Sequence, residues 1–178
     1  MDVNFVNRTV GPVMTRVVIV QEYVPAYRVP FFTALAKRAA EDGIDVIVAA
    51  GKANDTQAQR GDTGNLDGLR SIRQTQHKLF GRRVITRDIE SAIGDADFVI
   101  LEQARRNLDA YKLLAARRRR IPIALWGHGR DYTTDSNRSD RALLNWLTRR
   151  ADWFFAYTDG GRRFVASLGM PIDRVTSV

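Results

Sequence analysis

The amino-acid sequence predicts an α/β fold: a Rossmann-like, mostly parallel sheet with helices on both faces. Three observations point there. Segments with helical spacing alternate with short strand-like runs along most of the chain. Those runs are continuously apolar rather than alternating, the pattern of strands covered on both sides. The chain has 178 residues, 44% of them apolar, enough for one large domain with a real core.

The elements follow in order. Residues 1–15 have neither a long apolar core nor a small-residue cleavage site and read as a disordered leader, with Met14 as an alternative start. The domain is expected over 16–178. "RVVIVQ" (16–21) is the first strand. In "VPFFTALAKRAAEDG" (29–43), Val29, Phe32, Ala36 and Ala39 recur at helical spacing, with Phe31 and Leu35 beside them. Pro30 suits that helix's first turn and Gly43 its stop. "IDVIVAAG" (44–51) is a second strand, and the polar stretch 52–65 reads as a mobile surface loop. Weaker strand candidates lie around 69–76 and 82–86, before a short helix in "RDIESAIGDA". "DFVILEQ" (97–103) is a buried strand, and the helix 107–120 ends on Arg117–Arg120, where basic groups oppose the helix dipole. "IPIALWG" (121–127) and "DWFFAYT" (152–158) are further strands, with helices at 139–151 and 159–169. "DRVTSV" opens one more strand.

Composition removes several classes of function. With no cysteine there is no disulfide framework and no thiolate metal site. His77 and His128 are the only histidines, so no metal is expected. The net charge is +8, and only four of the 28 basic residues are lysine. Such a balance suits nucleotides, nucleic acid or acidic lipid surfaces, and compositional bias in an arginine-rich proteome explains it equally. No aromatic platform accompanies the arginines, which leaves nucleic-acid binding without support. No apolar run nears the roughly 18–20 residues that span a bilayer. The expected location is cytoplasmic, with peripheral contact at the inner membrane face as a further reading. Against that reading, the arginines are spread over several helices and no helix shows a clear aromatic-plus-basic stripe.

Open parallel sheets bind ligands outside the carboxyl ends of their strands. Function is therefore sought at Glu22–Arg28, from Gly51 onward, and at Glu102–Arg106, Gly127–Tyr132 and Thr158–Gly161. Arg28 precedes a helix N-terminus, where its guanidinium either grips an anion or ties down the loop. No G-x-G-x-x-G follows the first strand, which disfavours a dinucleotide enzyme. In "WGHGRDY", Gly127 and Gly129 allow unusual backbone angles around His128, which is either a hydrogen-bonding or proton-shuttling imidazole or part of a plain turn. Arg130, Asp131 and Tyr132 either contact a polar acceptor or hold the same loop. At Thr158, Gly160 and Gly161, helix capping competes with an anion-binding turn. No serine nucleophile elbow, P-loop or histidine–carboxylate metal motif occurs.

"VVIVQEYVPAYRVPFFTALAKR", then "IALWGHG", then "RADWFFAYTDGGRRFVASLGMPIDRVTSV" together resemble the N-terminal domain of glycosyltransferase family 4, over about Arg16 to Val178. The resemblance implies the N-terminal half of the two-Rossmann-domain (GT-B) architecture. In that architecture this half binds the acceptor, and a C-terminal half binds a nucleotide-sugar donor. It implies a hexosyltransferase without metal or cofactor, the nucleotide sugar being a co-substrate. It places His128 facing the transferred sugar or acceptor, with the loop Tyr23, Pro25, Tyr27 and Arg28 along the cleft floor.

Two departures qualify it. The loop after the first strand reads "EYVPAY", without the glycine pair many relatives carry. The donor-side pair of glutamates eight residues apart is absent, since the glutamates are Glu22, Glu41, Glu90 and Glu102. The chain is therefore expected to lack the donor domain and to be inactive alone. Its expected partners are a glycan or lipid-linked acceptor and a missing or separate donor-binding domain. The alternative is a stand-alone acceptor module pairing with a donor-binding chain. A homodimer through the surface a second domain would cover is a further expectation.

Overall fold

The computed structural model describes residues 14–79, 81–116, 121–130 and 138–178. Its strands are β1 (Thr15–Gln21), β2 (Ile44–Ala50), β3 (Arg70–Ser71), β4 (Gln74–Leu79), β5 (Arg82–Arg87), β6 (Phe98–Glu102), β7 (Ile123–Gly127), β8 (Trp153–Ala156) and β9 (Val175–Ser177). The helices are α1 (Val29–Glu41), α2 (Asp55–Gln59), α3 (Ile89–Ile93), α4 (Leu108–Ala115), α5 (Arg138–Arg150) and α6 (Asp159–Ser167). The expected leader falls almost wholly outside the described residues, and β1 already begins at Thr15. Arg117–Arg120 also lie outside them, α4 being described to Ala115.

The strands other than β4 and β5 form one seven-stranded sheet in the order β3-β2-β1-β6-β7-β8-β9, every pair parallel. Along β1, Val18 and Val20 point to one face and Ile19 to the other, all three nearly inaccessible. Alternation thus puts apolar atoms on both faces of a fully covered strand, which is why the run looks continuous. One core joins Val18, Val20, Val99, Leu101, Leu125 and Phe154 to α3, α4, α5 and α6. The other sets Ile19, Val48 and Ala50 against Phe32 of α1. Burying each such side chain contributes about 1.5–3 kcal/mol against a large entropic cost.

Two expectations are corrected. The segment 69–76 is not one strand: β3 is a two-residue edge strand, while β4 turns away and pairs antiparallel with β5 as a separate hairpin. Residues 52–65 are not a featureless loop. They contain α2, whose capping box has Asn54 accepting from the Gln57 N–H and the Gln57 side chain accepting from the Asn54 N–H.

Successive strands run outward in both directions from β1 and β6. The order therefore reverses between these two neighbours, and the crevice above their carboxyl ends is the topological switch point.

Candidate functional site

Strands β1 and β6 end at the switch point on Gln21-Glu22 and Glu102-Gln103. Adjacent parallel strands bring the two glutamates together: the Glu22 backbone N–H donates to Glu102 Oε2 at 2.8 Å. Their surroundings differ. Glu22 is 2% exposed and saturated. Its carboxylate accepts from Arg83 at 2.8 Å, from Arg106 Nε at 2.6 Å and from Gln57 Nε2 at 2.9 Å. Burial would raise its pKa, but the Arg106 charge, the Gln57 and Arg106 hydrogen bonds and the Arg83 charge outweigh that and hold it below the usual glutamate value. Among the described residues Glu102 receives only that backbone N–H on Oε2, and its Oε1 stands 3.7 Å from Arg28. Here burial dominates and raises the pKa, although Arg87, Arg106 and Arg28 act in the opposite direction. Neighbouring carboxyls pushed in opposite directions are the arrangement that separates a fixed charge from a proton-handling group.

Arg28 closes the turn Ala26–Arg28 and reaches back over the switch point. Its guanidinium donates to Gln21 Oε1 at 2.5 Å and to the Tyr157 hydroxyl at 3.1 Å. It also lies 5.2 Å from the Trp126 ring centroid and 5.7 Å from that of Tyr27. Of the two readings of Arg28, the tying role is visible in these contacts. The loop before it is pinned as well. Pro25 is buried and bridges Thr63, the Ala26 N–H donates to the Asp62 carbonyl at 2.5 Å, and the Tyr23 hydroxyl donates to the Asp62 carboxylate at 3.3 Å. Tyr27 itself is 70% exposed.

His128 stands just past the end of β7, exposed, with its ring edge-on to Tyr157 at 4.6 Å between centroids. Tyr157 therefore touches both His128 and Arg28. The two glycines answer two steric needs. A Cβ on Gly127 would come within 2.9 Å of the Gln103 side chain. Gly129 has φ +82, and a Cβ there would meet Val165 at 2.9 Å. Gln103 clamps the turn: its Oε1 accepts from the Gly129 N–H at 2.9 Å, and its Nε2 donates to the Gly129 carbonyl at 3.0 Å and to Thr148 at 2.8 Å. The Arg130 guanidinium lies 5.9 Å from the Phe164 ring centroid. Asp131 and Tyr132 lie outside the described residues.

Thr158 caps α6, its hydroxyl accepting the Gly161 N–H at 3.0 Å. Gly161 is buried, and a Cβ there would lie 2.8 Å from the His128 carbonyl. Gly160 is exposed beside it. This turn thus braces the His128 loop from behind. Among the described residues no group of three histidines, cysteines or acids is placed to hold a metal.

Sequence reading took in Glu22, Glu102, Gln103 and Arg106 within the stretches where function was sought, without singling them out, and passed over Gln21, Gln57, Arg83, Trp126 and Tyr157. Their one signal was position, since Gln21, Glu22, Glu102, Gln103 and Tyr157 all lie within a residue or two of a strand's carboxyl end.

Residues 31–178 match the sequence profile of glycosyltransferase family 4. The chain belongs to that family. No curated protein sequence matches it. Among solved structures, it is similar to the UDP-GlcNAc 2-epimerase of Methanocaldococcus jannaschii, with TM-score 0.57 and 13% identity over 92% of this chain and 45% of that one. It is similar to the enzyme of that name from Neisseria meningitidis, solved bound to UDP-GlcNAc, with TM-score 0.58 and 14% identity over 92% of this chain and 46% of that one. It is also similar to the Anabaena protein HepE in complex with UDP, with TM-score 0.51 and 11% identity over 93% and 43%. At these identities the likeness is one of fold, the Rossmann-like half of the GT-B architecture. The family 4 domain spans less than half the length of these structures.

Proposed function

We propose that this family 4 domain is the acceptor-binding wall of a glycosyltransferase cleft. In this reading it receives a glycan or lipid-linked acceptor, while a donor domain outside residues 1–178 holds the nucleotide sugar. The observation that carries the reading is one contact chain at the switch point, Glu102–Arg28–Tyr157–His128, running from a half-buried carboxylate to an exposed imidazole. Glu102 has acceptor capacity to spare and a raised pKa, so it can take the proton of an acceptor hydroxyl. His128 and Tyr27 offer exposed hydrogen-bonding groups to the sugar. Arg28, already engaged by protein groups, keeps Glu102 and Tyr157 in place.

Charge stabilisation of a departing diphosphate needs basic groups aimed at it, and this reading assigns them to the donor domain. Residues 1–178 alone therefore transfer no sugar. The test is nitrogen-15 amide spectra of residues 1–178, titrated separately with UDP and with a panel of neutral and acidic oligosaccharides. Oligosaccharide-dependent shifts at Tyr27, His128 and Tyr157 are expected. Shifts there with UDP and none with any oligosaccharide would overturn the assignment. Product formed by residues 1–178 from a nucleotide sugar would overturn the division of labour. In an enzyme carrying both domains, His128→Ala should lower turnover at least tenfold (about 1.4 kcal/mol) with little change in unfolding temperature.

A further inference from the structure

The hairpin of β4 and β5 stands apart from the main sheet, and its charges are one-sided. Side chains alternate between the faces of a strand pair. Gln74, Gln76 and Lys78 of β4 therefore share a face with their partners Arg87, Ile85 and Arg83 of β5. That face is the inward one, because Ile85 and Arg87 are buried on it. Toward the hairpin turn it sets Lys78 directly opposite Arg83. Like charges directly opposite each other destabilise a strand pair. Residues 74–87 contain no acid to offset them. Arg83 reaches off the hairpin to Glu22, while Lys78 is exposed and pairs with no carboxylate among the described residues.

A third cation arrives at the same place. Arg106, from the segment between β6 and α4, sets both Nε and Nη2 at 2.6 Å from Glu22 Oε2, opposite the Arg83 bond to Oε1. Two guanidinium groups thus converge on one carboxylate, which neutralises only one of them. Glu22 lies at the back, nearly inaccessible, while the Arg83 and Arg106 side chains are 35% and 40% exposed. Arg83 Nε and Arg106 Nη1 donate to no group among the described residues. The charge of Arg106 acts on Glu102 as well as on Glu22, so the pair lies beside the carboxyl assigned to the acceptor's proton.

We infer that Arg83 and Arg106, with Lys78 at their rim, bind an oxyanion carried by the acceptor, a carboxylate or phosphate group, so that the acceptor is an acidic glycan. This rests on the reading of the domain as the acceptor wall and names the class of acceptor. One arginine would suffice to balance Glu22. The second leaves a surplus positive charge at the mouth of the switch point, with planar donors that match two oxygens of a carboxylate or phosphate. Glu22 fixes both guanidinium groups before the ligand arrives, which lowers the ordering cost of binding. Lys78, more exposed and more mobile on its longer reach, adds attraction without geometry.

The test is nitrogen-15 spectra of the full chain that include the arginine Nε–Hε groups. The probes are a uronate-containing disaccharide, its carboxyl-reduced neutral counterpart, a sugar phosphate and UDP. An acidic sugar should shift the Arg83 and Arg106 signals, bind about tenfold more tightly than the neutral disaccharide, and lose that margin as salt is raised. Whether the uronate or the sugar phosphate binds more tightly names the acidic group. Arg83→Gln leaves Glu22 its Arg106 and Gln57 partners, and it should remove most of the preference while the neutral disaccharide binds as before. Thermal unfolding checks that this variant folds. Lys78→Gln, at an exposed position, should weaken acidic-sugar binding only about twofold. Equal affinity for the uronate and its neutral counterpart would overturn the inference and leave the acceptor wall standing. Shifts at Arg83 and Arg106 with UDP, and none anywhere with any nucleotide-free sugar, would overturn both, since the pair would then serve a donor phosphate. Arginine signals unmoved by every probe would overturn the inference too, and would leave the pair as a fastening of the hairpin to Glu22.

Discussion

The two edges of the sheet use the same ingredients, arginine against carboxylate, to opposite ends. At the amino edge Arg16 bridges Asp45 at 2.8 Å and Asp95 at 2.6 Å, and Arg70 joins Asp95 at 2.9 Å. All four side chains stay 29% to 46% exposed. Water and salt screen such pairs, so they align strand starts and contribute little else. At the carboxyl edge the pairs are drawn inside, and they are unequal. Glu22 is oversupplied with donors, while Glu102 beside it is undersupplied. A balanced network only holds a fold together. An unbalanced one leaves a carboxyl whose charge is costly, and that is a group able to handle protons.

The sharpest way to break the comparison is to remove one carboxylate from each edge. Glu22→Gln leaves Arg83 and Arg106 without their buried counter-charge. It should cost about 2–4 kcal/mol, toward the lower part of the range for broken buried pairs because both arginines keep some solvent. Asp95→Asn at the other edge should lower the urea midpoint much less at moderate salt, since its pairs are solvent-screened. Equal losses in the two variants would erase the distinction. A smaller contrast of the same kind lies in the glycines. Gly43 and Gly129 both have positive φ, +73 and +82, but only Gly129 has neighbours in the way. Gly43→Ala should cost about 1 kcal/mol of backbone strain. Gly129→Ala should cost about 2–3 kcal/mol, because Val165 and the Gly161 carbonyl must also shift. Equal destabilisation of the two would show that packing behind the His128 loop is loose.

The sheet was legible in the sequence where burial on both faces forces unbroken apolar runs, as in β1, β6 and β7. The hairpin was not, because β4 is almost entirely exposed and carries no apolar period. Nor was α2, whose one local sign is the pairing of Asn54 with Gln57 three residues on. The strand ends pointed to the right places, and Arg28 and His128 could be picked out locally. The glutamate pair could not. Glu22 and Glu102 are 80 residues apart, and only the placement of β6 beside β1 makes them neighbours. Periodicity reports which residues are buried, not which strand lies beside which. For the same reason Tyr157 looked like an ordinary strand end until β8 was set next to β7.

The finest probe of the two edges is pH. A carboxyl whose folded pKa is raised favours folding when protonated, so the wild type should lose the Glu102 contribution as pH rises through that raised value. The window opens near the unfolded glutamate value of about 4.3 and extends upward. Groups with lowered pKa act in the opposite sense. Glu22 stabilises above that unfolded value, and Asp95, held at about 2 chiefly by its hydrogen bond from Arg70, stabilises above the ordinary aspartate range; both effects are lost on acidification. Glu102→Gln should therefore raise stability at neutral pH and flatten the stability profile above pH ~4.3. In an enzyme with both domains, the same variant should lower turnover while keeping the fold. Asp95→Asn should flatten the profile only below pH ~4 and leave turnover alone. Urea denaturation across this pH range separates the two variants, because the Glu102 effect lies on the neutral side and the Asp95 effect on the acid side. If Glu102→Gln instead lowers stability at neutral pH, Arg28 compensates the Glu102 charge fully, and the carboxyl edge is as balanced as the amino edge.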